Sequence, residues 1–314
     1  MTEPPLSTVA APTVPLPSLP GVEHRFIDIH GLRVHVAEAG SGPAVLLLHG
    51  FPQHWWEWRQ VIPRLAERHR VICPDLRGMG WTAVPNDGCL TAQLVADAVG
   101  LLDALGVDQV DLIGHDVGGI LGYRLCLAHP ERVRRFLAIA APHPYPAAEP
   151  RVLLNLWRVW SMFAVATPVL GPRLLGRGRQ RVPRNWFLRD APAQTWSERD
   201  VDLYLAPLRD PARARAASAL HRELMIRENG RASAGRYRDA RLRTPTLSLY
   251  GTVLVEHRRD GAEHPALLGG YEDHADDLRL EHVPGTGFYL VDERPALVAD
   301  RAIDFFGLRR VGAA

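Results

Sequence analysis

The hexapeptide GHDVGG (114–119) holds the residue best placed to do chemistry, Asp116 between Gly114 and Gly118. It follows the apolar run VDLI and opens the helical run VGGILGYRLCLA. This is the Gly-x-nucleophile-x-Gly spacing, in which the glycines permit a sharp strand-to-helix turn and close packing. The central side chain is then thrust above the sheet at a helix N-terminus. A carboxylate held there can attack an electrophilic carbon or move a proton. Taken alone, the same residues also fit an aspartate that merely caps a helix. A second stretch, EHVPGTGFYL (281–290), reads as a short buried strand running into a glycine-rich turn that delivers Phe288 and Tyr289. A turn of that kind presents one side chain accurately, yet Phe288 has no proton to give or take.

The elements that must position these residues are legible as alternating short apolar runs and amphipathic segments. HRFIDIHGLRVHVAEAG (24–40) reads as a hairpin turning at Gly31, and AVLLLHG (44–50) as a strand buried on both faces. WWEWRQVIPRLAER (55–68) has helical spacing, RVICPDLRG (70–78) is a strand, and TAQLVADAVGLLDALG (91–106) a helix capped by Thr91 and stopped at Gly106. VDLIGHD and VRRFLAIAAP (133–142) are further strands. After Pro142 the rhythm changes, and residues 145–240 show helical segments, many arginines and no convincing strand. Strands return with TPTLSLYG (244–251) and LRLEHVPG (278–285), and RPALVADRAIDFFGL (294–308) closes the chain as a helix. The order predicts a mostly parallel sheet flanked by helices. Residues 1–22 form a proline-rich tail, 23–144 and 241–314 the α/β core, and 145–240 an inserted helical cap over the sheet's carboxyl edge, where open α/β sheets bind ligands.

Bulk properties narrow the function. The chain has 314 residues, 46% hydrophobic and 23% charged, and a net charge of +2. That gives no electrostatic case for nucleic acid or membrane partners. No run reaches the roughly 18 apolar residues of a membrane span. All 37 basic residues are arginine, which reads as base-composition bias. The three cysteines show no metal-ligand spacing, so no metal site and a reducing, cytoplasmic compartment are expected. The tail lacks the basic start and apolar run of a signal peptide. Eight tryptophans, three of them in HWWEW (54–58), favour a flat, apolar or aromatic small molecule as ligand. The arginine-rich run RLLGRGRQRVPR (173–184) reads as a solvated face of the cap.

GHDVGG after one buried strand, HGFP (49–52) after an earlier one, and a helical insertion followed by returning strands together resemble the α/β-hydrolase family over about residues 24–308. With aspartate at the elbow and HGFPQHWWEWR after the third strand, the chain looks closest to bacterial epoxide hydrolases. The resemblance implies a cofactor-free, two-step reaction. The carboxylate at Asp116 opens an epoxide and forms an ester, a histidine held by an acid activates water to hydrolyse it, and cap tyrosines protonate the epoxide oxygen. It also implies an oxyanion hole from the backbone N–H groups of Phe51 and Val117. His49, Pro52, Trp55, Trp56, His115, Phe288 and Tyr289 would surround the site, with His115 shaping the oxyanion region. Related dehalogenases carry tryptophan after the aspartate; here that position is Val117, which disfavours dehalogenation.

The resemblance breaks at three places. The family's histidine loop reads like VPGxGH, whereas VPGTGF puts Phe288 there. The acid expected soon after YG is missing from YGTVLVEHRRD, which offers Thr252, Val253 and Leu254 before Glu256 and Asp260. The cap stretch SALHREL places His221 where the family presents a ring-opening tyrosine. His221 or Tyr204 would then be the cap proton donor. His282 on the last strand, His264 and His274 in a helical region before it, and His257 lack the register of a substitute base. Three readings stay open: Asp116 serves non-hydrolytic acid/base chemistry (rearrangement, cyclisation, elimination or epoxide opening), hydrolysis continues with a relocated base, or the scaffold is a silent binding protein. Aromatic burial would raise the Asp116 pKa, and the helix N-terminus and oxyanion-hole N–H groups would oppose it.

Overall fold

The computed structural model describes residues 14–84, 89–145, 160–191, 195–252, 255–257, 263–265 and 270–307. The hairpin forms as β1 (Val22–Ile29) and β2 (Leu32–Ala39), turning through His30 and Gly31, both at positive φ. That is the backbone a tight hairpin turn requires. β3 (Ala44–Leu48) leads to a 3₁₀ turn at Trp55–Gln60 and α1 (Ile62–Ala66), then β4 (Arg70–Pro74) and α2 (Thr91–Ala104). The N-cap of α2 is Leu90, not Thr91: the Gln93 side chain accepts the Leu90 N–H, and the Thr91 hydroxyl points instead toward Glu223. β5 (Val110–His115) turns into α3 (Val117–Ala128), and β6 (Val133–Ile139) follows.

Between β6 and the next strand the described regular elements are helical. They comprise α4 (Trp160–Val165), α5 (Leu170–Gly176), α6 (Arg181–Arg189), α7 (Glu198–Leu205), α8 (Pro211–Arg222), a π-helical turn at Glu223–Glu228 and α9 (Asn229–Ser233). Arg173, Arg177, Arg179 and Arg181 are exposed, so much of the arginine-rich run is a solvated face. β7 (Thr246–Gly251) precedes a ribbon of β8 (Val255–His257) and β9 (Glu263–Pro265). His257 and His264 therefore lie on strands, and His264 is not in a helical region. The chain ends with β10 (Leu278–Val283), the short α10 (Leu290–Glu293) and α11 (Pro295–Phe305). Val253, Leu254, Asp260 and most of the proline-rich tail fall outside the described residues.

The sheet runs β1-β2-β4-β3-β5-β6-β7-β10, antiparallel at β1–β2 and β2–β4 and parallel beyond. Alternation along the strands feeds two cores. Leu46, Leu48 and Leu112 face one layer with α2, α3 and the cap helices, while Val45, Leu47 and Ile113 face the other with α1 and α11. The ends of β3, β5 and β10 meet at one edge, which brings HGFP, Asp116 and Phe288 together.

Close packing at the elbow explains its glycines. A Cβ on Gly118 would lie 2.0 Å from the Leu48 carbonyl oxygen, and one on Gly114 would lie 2.5 Å from the Gly118 carbonyl oxygen. Backbone cannot yield as a flexible side chain does. Gly118→Ala is expected to cost about 3 kcal/mol or more, read as a lower urea midpoint at unchanged slope.

Candidate active site

Asp116 sits between β5 and α3 at φ 49°, ψ −113°, a backbone that a non-glycine residue adopts only when its surroundings impose it. Its amide donates to the Ile139 carbonyl (3.0 Å), and its Oδ2 accepts the Phe51 N–H (3.0 Å). The Val117 amide also stabilises the carboxylate, so both expected oxyanion-hole donors serve Asp116. Oδ2 is thereby held by the Phe51 amide, and the carboxylate faces the sheet edge where it can attack or take a proton. Asp116 keeps partial exposure at the sheet edge. Burial pushes its carboxyl up to about 6, against the pull of His115 and the two amides. At neutral pH it is therefore mainly a carboxylate, poised to take a proton, and not a neutral acid.

His115 is fully buried behind it. Its Nδ1 lies 3.0 Å from Glu57 Oε1, and its Nε2 is 3.1 Å from the Phe288 carbonyl oxygen. Despite the cost of burial, the Glu57 carboxylate holds the imidazole up to about 9. Phe288 occupies the loop after β10, its ring centroid 5.6 Å from that of His115 and 5.4 Å from that of Tyr289. Its backbone is tied at both ends, since its N–H donates to the Asp190 carbonyl (2.7 Å). Glu293 accepts the N–H groups of Gly287 (2.6 Å) and Tyr289 (3.0 Å).

From the cap, His221 on α8 reaches the site. Its ring meets Phe51 edge-on at 4.5 Å and stacks on Trp186 at 5.7 Å. It is buried, and burial lowers its pKa to about 4 against the pull of the Ala217 carbonyl, which Nδ1 approaches without the geometry of a full hydrogen bond. At neutral pH it is an uncharged ring with one N–H to donate. Tyr289 packs against Phe187 and Trp196, which completes an aromatic wall.

Three expected members take other positions. Tyr204 is buried, but its hydroxyl donates to Asp292 (3.2 Å) and accepts from Arg59 (2.9 Å), because Asp292 is the nearest strong acceptor to that ring edge. It is thus spent on a core–cap tie. Trp55 lies in the opposite core: its backbone N–H donates to Asp75 Oδ1 and its ring packs edge-on to His24, while Trp56 stands half-buried against it. The 3₁₀ turn at Trp55–Gln60 directs the ring under the β1–β2 hairpin. His49 supports the HGFP loop, with Nδ1 donating to the Gly50 carbonyl (2.7 Å) and Nε2 accepting the Leu76 N–H (2.9 Å). Pro52 is buried, joined to Phe51 by a cis bond.

The sequence reading missed the buried polar frame. Gln53 (2.7 Å) and Arg59 (2.6 Å) both donate to Asp292, whose carboxyl burial pushes up to about 6 against the pull of Arg59. The sequence reading assigned no role to Glu57, Asp292 or Glu293. The available signal was an acid inside HWWEW, a charge wedged among tryptophans.

Asp116 carries a linkage consequence. Its folded pKa lies above the unfolded value, so the protonated form is the one folding favours. That contribution is present below about pH 4 and lost as pH rises through about 6. At neutral pH the ionised carboxyl therefore costs stability. Asp116→Asn is expected to stabilise the fold by roughly 1–2 kcal/mol at pH 7.5, allowing for partial exposure, and by little at pH 4. Melting curves at the two pH values would show it, and a destabilised variant at pH 7.5 would contradict it.

The family model described as the alpha/beta hydrolase fold matches residues 43–295. Epoxide hydrolase 2 of Siraitia grosvenorii is 48% identical over 122 residues, 38% of this chain and 39% of that protein. The aligned part thus spans about two fifths of that relative's length. Among solved structures, Cfl2 from Burkholderia cenocepacia superposes with TM-score 0.77 at 30% identity, over 91% of this chain and 96% of that one. A structure described as a putative epoxide hydrolase from Pseudomonas aeruginosa gives 0.77 at 27%, over 93% and 98%. The chain belongs to the α/β-hydrolase fold family. Within it, the protein is epoxide-hydrolase-like. Among the described residues no helix is long and apolar enough to cross a membrane.

Proposed function

We propose that this is a cofactor-free enzyme of epoxide-hydrolase descent whose water-activating histidine is replaced by Phe288. Asp116 then performs non-hydrolytic acid/base chemistry (rearrangement, cyclisation, elimination or epoxide opening) on an apolar or aromatic small molecule. One observation carries the reading. His115, the histidine adjoining Asp116, faces acceptors with both ring nitrogens and so has no lone pair for water. The residue delivered by the 284–289 loop is a phenylalanine. His49 has both nitrogens committed as well. His221, held uncharged near the oxyanion loop, suits donation of a hydrogen bond to a developing oxyanion. A ring whose pKa is about 4 is a poor base toward water, which weighs against a relocated base.

The test is a panel of apolar epoxides incubated with the protein, following product identity and intact mass. Isomeric product without water uptake supports the reading. Steady diol formation would show a relocated base, and tight binding without turnover would show a silent scaffold. With the Asp116 carboxyl raised by burial to about 6, the rate should fall about tenfold per pH unit below about pH 6.

A further inference from the structure

We propose that Glu57 and His115 form a permanent buried ion pair that positions the whole site. Both side chains are fully buried, with Glu57 Oε1 3.0 Å from His115 Nδ1. The other carboxylate oxygen accepts the Gly50 N–H (3.0 Å), and His115 Nε2 reaches the Phe288 carbonyl (3.1 Å). The pair thus ties together the HGFP loop, the elbow and the loop after β10. Gly50 packs so closely on this ring that a Cβ there would lie 2.7 Å from His115 Nδ1.

Protonation follows from the partners. The Glu57 contact is an ion pair by distance and not an aligned hydrogen bond, but a carboxylate and a carbonyl only accept, so with one facing each ring nitrogen both carry protons and the ring is a fixed cation. The charged groups around it are Glu57, Asp116 and, further off, Asp292 and Glu293, with Arg59 paired to Asp292. An apolar pair of similar volume would commonly give equal or greater stability. The pair's physical return lies elsewhere: it fixes the Phe51 N–H on Asp116 and sets a positive charge beside that carboxylate. Glu57 and His115 are positioning residues.

Imidazole nitrogen NMR on histidine-labelled wild-type protein tests this without any turnover assay, so it stands apart from the reading of Asp116 chemistry. Both His115 nitrogens should remain protonated from about pH 5 to 8; a singly protonated ring at pH 7 overturns the proposal. In Glu57→Gln the His115 midpoint should fall by at least one pH unit, and Glu57→Asp should restore it. An unchanged midpoint in Glu57→Gln overturns the pair. In His115→Gln the Asp116 carboxyl, followed by infrared and assigned by subtracting Asp116→Asn, should titrate at least one unit higher. A purely structural role would leave that midpoint where it is. If the single variants do not fold, the wild-type spectrum decides alone.

Discussion

Asp116→Asn is expected to lower the conversion of an apolar epoxide by roughly 10³-fold or more, about 4 kcal/mol of transition-state stabilisation. The amide is isosteric, and the Phe51 N–H that grips Oδ2 at 3.0 Å can still donate to an amide oxygen. The oxyanion hole and the aromatic wall therefore survive. What disappears is the carboxylate, and with it both the nucleophile and the proton acceptor. The same variant should melt higher at pH 7.5, so loss of activity cannot be laid to unfolding. Steady-state rates for the two proteins on one substrate provide the check, and a variant that keeps a tenth of wild-type activity would place the chemistry on another residue.

The second large effect is a gain. Phe288→His is expected to introduce diol formation, at about 10² times the wild-type diol rate. The loop is held by backbone bonds, at Phe288 N–H to Asp190, at the Phe288 carbonyl to His115, and at Gly287 and Tyr289 to Glu293. None of these uses the phenyl ring, so an imidazole of smaller size should adopt the same place. General base catalysis spans about 10²–10⁴, and the lower end is expected because Thr252 follows β7 where an orienting carboxylate would be needed. Product chromatography in heavy-oxygen water would show label entering the diol. No diol from a folded variant would mean that Phe288 does not stand where a base can act.

How much of this was legible in the chain depends on how local the signal was. The elbow was plain because Gly114 and Gly118 are neighbours of Asp116, and the mostly parallel sheet followed from short apolar runs alternating with amphipathic helical segments. Trp55 was misplaced because periodicity within HWWEW cannot say which ring turns under the hairpin and which turns toward the cap. Tyr204 was misassigned because its partner, Asp292, is 88 residues away. The Glu57–His115 pair is 58 positions apart, and the Arg59–Asp292 pair 233. Such ionic ties carry no sequence signature of their own. Only the juxtaposition of strand ends reveals them.

The balance between burial and hydrogen bonding at Asp116 was likewise beyond sequence. Aromatic residues argued for a neutral acid, while the amides of Phe51 and Val117 argued for a carboxylate. The structure sets the outcome near 6, which makes the group a base at neutral pH and an acid once it has taken a proton. That range suits proton shuttling within a single substrate molecule.

The central claim is that Asp116 acts here without activated water. Its most direct test is to run the wild-type protein on an apolar epoxide in heavy-oxygen water and weigh both product and protein. The expected product has the substrate's own mass and no solvent oxygen, with the protein mass unchanged at the end of turnover. A diol carrying one solvent oxygen per turnover would contradict it.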